Sequence, residues 1–290
     1  MEALKSVVLI GKSNPAQVGD GFFIRRPMPS AAIGLGDISP FLLLDHAGPT
    51  AFAPAKQRRG VDVHPHRGFE TVTIVYEGEL EHRDSSGSSG KISAGDVQWM
   101  TAGAGVVHEE KHSQAFTERG GTLEMIQLWV NLPAKHKMTT PKYQEILAAH
   151  IPSVSLSDKG TFARVIAGTF EGHTGPAFTF SPILMLDLRA KSGDLLEIPV
   201  DEGYNTSLYV LKGSVQTEDQ RKIKEAELIK FTATGRAIRF EVLEDSKLLL
   251  LAGEPIQEPI SSYGPFVMNT KMEIQQAIAD FQSGKMGILE

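Results

Sequence analysis

Cysteine is absent from the 290 residues, which excludes disulfide frameworks, Cys-ligated zinc, iron–sulfur clusters and thiol chemistry. No apolar run approaches the roughly 18 residues of a membrane span. Val7-Val8-Leu9-Ile10 is followed at once by Gly11 and Lys12, too short a run for a signal-peptide core. Basic excess is missing too: 35 acidic against 29 basic residues leave a net charge of −6. Arg25-Arg26 and Arg58-Arg59 are isolated pairs, so neither a nucleic-acid-binding field nor a polybasic signal is present. These absences favour a soluble cytoplasmic protein over a nuclear or membrane-bound one. What is present is a folded chain, 41% hydrophobic and nearly twice the length of a ~150-residue domain, so two domains are expected.

Short strand-like runs dominate. Thr71-Val72-Thr73-Ile74-Val75-Tyr76, Asp96-Val97-Gln98-Trp99-Met100 and the run from Leu123 to Val130 are β-branched and aromatic, and turn residues bound each one. Ser207 to Leu211 and Lys247 to Leu251 repeat the style. This spacing reads as an all-β barrel or sandwich. Helical signals are few. Pro141 to His150, with Tyr143, Ile146 and Leu147 on one face, reads as a short linker helix. Thr270-Lys271-Met272-Glu273 is a capping box ahead of Ile274, Ala277, Ile278 and Phe281, with Gly284 as the stop.

An internal repeat organises the chain. Gly68 to Gly78 matches Gly203 to Gly213 at an offset of 135, and Lys91 to Thr101 matches Lys222 to Thr232 at an offset of 131. The difference falls in the Ser/Gly-rich loop after Asp84, where length changes cost little. Two copies of one β unit therefore sit in tandem, residues 1–140 and 141–290.

Five of the nine histidines fall between His64 and His112. On an extended segment, His64-Pro65-His66 turns both imidazoles to one face, and His108-Glu109-Glu110 does the same for an imidazole and a carboxylate. Adjacent strands would bring three nitrogens and one oxygen together. That set suits Fe(II), Mn, Co, Ni, Cu or Zn and leaves coordination positions open for chemistry. Glu70 competes with Glu110 as the acidic ligand. The offsets align His64, His66, His108 and Glu110 with Pro199, Asp201, Arg239 and Glu241, so the second copy loses every imidazole and is expected to hold no metal. His82, His112, His136, His150 and His173 read as ordinary surface or core histidines.

These residues resemble the pirin family of the cupin superfamily. The shared words are Pro40 to Asp45, His64 to Val72, Gly95 to Gly103, Leu128 to Pro133 and Gly264 to Thr270. The resemblance implies a bicupin: two tandem antiparallel β-barrels of jelly-roll type, with a few short helices and a C-terminal helix. It implies a metal, usually iron, held in the N-terminal barrel by His64, His66, His108 and Glu110, with Glu70 near by. It further implies quercetin 2,3-dioxygenase activity, in which a flavonol and dioxygen are the substrates and Glu110 is the catalytic base. Phe69, Trp99 and Met100 would wall the site. Other family members imply a different role, an iron-dependent, redox-sensing partner of transcription regulators or metabolic enzymes.

Overall fold

The β-branched runs pair into antiparallel sheets in a computed structural model that describes residues 3–289. The chain forms two units, and they do not divide at 140/141. One contains residues 15–25, 43–148 and 256–289; the other contains residues 3–14, 26–42 and 149–255. Among the described residues, no helix is long and apolar enough to cross a membrane.

The first unit sandwiches two sheets. In one, Lys142–Ile146, Val97–Thr101, Phe69–Glu77 and Gly121–Asn131 lie side by side in that order; the other runs Gly60–His66, Val106–His112, Glu79–Asp84 and Ser89–Ser93. The expected linker helix is instead the edge strand Lys142–Ile146, with Tyr143 opposite Met100. Only a single 3-10 turn, Ala148–His150, follows. Cross-strand pairing outweighs the helical spacing here, and Leu147, the third residue of the proposed face, is exposed. A short helix that the sequence did not announce, Gln114–Arg119, is capped by the Ser113 hydroxyl.

The C-terminal helix Lys271–Gln282 forms with its capping box intact. It belongs to the first unit rather than to the second copy. Ile274 and Ala277 pack with Val107, Phe266 and Met268, and Asp280 accepts from Arg67 Nη1 at 2.9 Å. Lys137 ties the same segment down, donating to Val267 O, Gly68 O and Asn131 Oδ1 at 2.9, 2.8 and 2.7 Å. The opposite exchange occurs in the second unit, where Val7–Lys12 pairs with Glu227–Phe231.

Backbone details confirm the repeat. Gly78 and Gly213 turn with φ of 88° and 87°. Gly95 N–H donates to Val75 O at 2.8 Å, and its counterpart Ala226 N–H donates to Val210 O at the same 2.8 Å. Strand register then corrects the alignment at the histidines. Four residues beyond the shared turn glycine, His82 pairs with Glu110 and Thr217 pairs with Phe240. On the neighbouring strand His64 faces His108, whereas Ile198 faces Ile238. The counterparts of His64, His66, His108 and Glu110 are therefore Ile198, Val200, Ile238 and Phe240. The slip of one residue arises because the connectors between the matched words differ in length. Arg239 alternates outward and donates from Nε to Glu197 Oε2 at 2.9 Å. The four inward residues lie in the apolar core of the second unit with Leu196, Leu208, Val210 and Val242.

Candidate metal centre

Two neighbouring strands deliver the histidines. His64 stands opposite His108, and His66 opposite Val106, with a register shift before Glu110. His64, His66 and His108 each offer a ring nitrogen within 4.8 Å of the others, and their ring centroids lie 4.3 to 4.9 Å apart. His66 and His108 are buried while His64 is half-buried, so the group opens to solvent on the His64 side. His64 Nδ1 faces Asp62 O at 2.7 Å and His66 Nδ1 faces Pro265 O at 3.2 Å. A carbonyl only accepts, so both Nδ1 atoms carry hydrogen and both Nε2 atoms keep their lone pairs. His108 Nε2 is buried without any partner, an arrangement that costs free energy unless something binds it.

Burial pushes the His66 imidazole down to about 3, with His64 near by adding to the effect and the Pro265 carbonyl opposing it. Burial, and then His66, His64 and His82, hold His108 well below its ordinary value. Both therefore stay neutral, the form that ligates metal. Three converging imidazoles, two of them held neutral by burial and one with a buried, partnerless Nε2, fit a divalent transition metal.

Glu110 does not share the first group. It lies with His82 and His108 in a second cluster, again within 4.8 Å. Its Oε1 accepts from Thr73 Oγ1 and from Gln98 Nε2, both at 3.1 Å. Those two donors come from the opposing sheet, so the site lies between the two sheets of one barrel. Glu70 takes no part in either cluster. Its carboxyl accepts from Thr101 Oγ1 at 2.7 Å, and burial pushes it up to about 7 against the pull of that bond.

Alternation sorts the proposed wall. Thr73 and Gln98 face Glu110, so Thr71 and its partner Met100 face the site, while Val72 and its partner Trp99 face away. Phe69 does line the site, its ring 5.0 Å from His66. The indole beside it is Trp129 rather than Trp99, 4.3 Å from Phe69 and 5.4 Å from His66. His82, read from sequence as ordinary, is at the centre of the second cluster. The signal was present: His82 and Asp84 alternate on a strand just as His64 and His66 do. Gln98, Gln127, whose Oε1 lies 2.8 Å from Thr73 Oγ1, and Tyr143, whose hydroxyl donates to Gln98 Oε1 at 3.1 Å, carry no such signal, because only sheet pairing brings them in. A cavity of about 840 Å³ opens in the other unit beside Phe170, Asp201, Tyr204 and Arg236, and its lining includes no histidine.

With this geometry in place, similarity to known proteins is informative. The pirin profile matches residues 23–130, and that of the pirin C-terminal cupin domain matches residues 185–287. A Pseudomonas aeruginosa protein named as a candidate quercetin 2,3-dioxygenase is 50% identical over 281 residues, covering 97% of this chain and 98% of its own. The chain belongs to the pirin family. Human pirin is 35% identical over 99% of this chain and 96% of its own. Among solved structures, a crystal structure of quercetin 2,3-dioxygenase from Acinetobacter baumannii superposes with a TM-score of 0.96. It is 47% identical and covers 99% of this chain and 100% of its own. The pirin fold accounts for the bicupin architecture seen in both units.

Proposed function

We propose that this pirin is a metal-dependent dioxygenase that opens the heterocyclic ring of flavonols such as quercetin. His64, His66 and His108 hold the metal, iron(II) in this reading, and Glu110 serves as fourth ligand and base. The observation that carries the proposal is the buried, partnerless Nε2 of His108, facing two imidazoles whose Nδ1 atoms are already occupied. The names of the Pseudomonas and Acinetobacter relatives support the substrate.

When bound, such a metal supplies a Lewis-acidic anchor for the flavonol oxygen and a redox partner for dioxygen. Glu110 performs the proton step. Both of its hydrogen bonds fall on Oε1, which leaves Oε2 as the one oxygen for both tasks in turn, a ligand atom before substrate binds and the general base for the 3-hydroxyl proton afterwards. Gln98 and Thr73 hold that carboxylate in place through the transfer. Phe69 and Trp129 offer an aromatic wall beside His66 and shield a planar ring from water. The products are the depside and carbon monoxide.

Oxygen uptake with quercetin, using protein loaded anaerobically with Fe(II), tests the reading. The parent is expected to turn over. His66→Ala is expected to bind metal at least about tenfold more weakly and to be inactive. Glu110→Gln is expected to keep much of its metal and lose turnover. No oxygen uptake by a parent shown to hold iron would reassign the protein as an iron-dependent interaction partner.

A further inference from the structure

Donor and acceptor roles around His108 admit one consistent assignment. The turn after Glu79–Asp84 grips the Asp84 carboxylate: the Ser86 and Ser88 backbone N–H groups donate to Oδ1 at 2.8 and 3.1 Å, and the Ser86 hydroxyl donates at 2.6 Å. Oδ2 is left facing His82 Nε2 at 3.1 Å. A carboxylate only accepts, so His82 Nε2 carries a hydrogen. On the other side of the ring, the Tyr143 hydroxyl donates to Gln98 Oε1 at 3.1 Å. That bond turns Gln98 Nε2 toward Glu110 and toward His82 Nδ1, which is 3.3 Å away. An amide nitrogen only donates, so His82 Nδ1 accepts. His108 Nδ1 lies 3.4 Å from the same atom; two lone pairs facing each other there would repel, so His108 Nδ1 is the donor and shares the His82 lone pair with Gln98. The remaining nitrogen of His108, the partnerless Nε2, then carries the lone pair. Tyr143 stacks on the His82 ring at 4.9 Å, and a side chain at Gly90 would collide with the Tyr143 hydroxyl. The imidazole is thereby clamped against a flip that would exchange the roles.

We propose that Asp84 and His82 form a positioning pair that locks His108 in its metal-accepting tautomer, so that His82 supports the first group from behind and its cluster with His108 and Glu110 is not a second metal centre. This rests on the reading that His64, His66 and His108 hold the metal. Partners of this kind orient ligand histidines and typically contribute about 10- to 100-fold in metal affinity. His82 and Asp84 touch neither substrate nor metal in this arrangement and act through His108 alone.

Cu(II) titrated into the full-length apoprotein and followed by continuous-wave and pulsed EPR tests the proposal. The nitrogen hyperfine pattern counts directly bound imidazoles, while the quadrupole coupling of the remote ring nitrogen reports its hydrogen bond. The parent is expected to show three nitrogens. His82→Leu is expected to bind Cu(II) about 10- to 100-fold more weakly, still through three nitrogens, with the remote coupling of one altered. His82→Asn, whose Oδ1 can accept from His108 Nδ1, is expected to recover part of that affinity. Asp84→Asn reports the same change if His82→Leu does not fold. Parent-like affinity with unchanged remote coupling in His82→Leu would overturn the positioning role. Loss of a directly bound nitrogen in that variant would also overturn it, by making His82 a ligand. A parent that binds no Cu(II) at all would instead remove the metal site, and the positioning role with it.

Discussion

The two barrels answer the same geometric question differently. Where one places His64, His66, His108 and Glu110 between its sheets, the other places Ile198, Val200, Ile238 and Phe240. The apolar set is stabilised by its own burial, at about 25 cal/mol per Å² removed from water. The polar set leaves one buried nitrogen unsatisfied and requires hydrogen bonds from Thr73 and Gln98 to seat its carboxylate. A duplicated barrel therefore separates what the fold demands from what a metal demands. The fold keeps the turn glycine and the bond from residue 95 or 226 back to Val75 or Val210; it does not call for the imidazoles, which the proposed metal site would account for.

Converting one barrel into the other gives the largest effect. His64→Ile, His66→Val and His108→Ile combined should abolish metal binding and leave the apoprotein at least as stable as the parent, since replacing buried polar groups with apolar ones of similar shape is often neutral or stabilising. Metal analysis beside urea unfolding checks this; a triple variant that retains stoichiometric metal would remove the three histidines as ligands. Next, Phe240→Ala should destabilise the second unit by about 3–5 kcal/mol, seen as a lower urea midpoint, without changing metal content. A midpoint equal to the parent's would mean that the second barrel is not packed as described.

The smallest effect concerns Glu70, whose counterpart in the repeat is the uncharged Asn205. Burial raises its folded value to about 7 from an ordinary 4.5. Between those values the folded state holds a proton that the unfolded chain has released, so stability falls as pH rises through the window, on the order of 3 kcal/mol in all. Glu70→Gln should remove that slope and gain stability at pH 8 relative to the parent, with little difference near pH 4. Parallel stability-against-pH curves for parent and variant would rule this out.

Much of this was legible in the sequence because period-two patterning and turn residues act locally. The strands around Thr71, Val97, Leu123, Ser207 and Leu249, the capped C-terminal helix and the convergence of His64, His66 and His108 all follow from alternation. Other features depend on pairing, which no local pattern encodes. Tyr143 and Ile146 fit a helix by spacing yet form an edge strand. Trp99, named from sequence as a wall residue, is turned away by strand register, which puts Trp129 beside Phe69 and His66 instead. The matching words carry the repeat, yet their offsets miss the counterparts of the histidines by one residue, because the connectors outside the words differ in length. His82 and its partner Asp84 also obey alternation, two residues apart on one strand, but nothing local distinguishes that pair from an ordinary surface pair.

The C-terminal segment also sets a timetable. Pro265 supplies the carbonyl that fixes the tautomer of His66, Val267 accepts from Lys137, and Asp280 holds Arg67 beside His66. During synthesis, His66 leaves the ribosome some 200 residues before these partners exist. The histidine strands can pair with one another, but they precede these three partners by the whole of the second barrel. Whatever support these three contacts give the histidine strands can form only once residue 280 has been made.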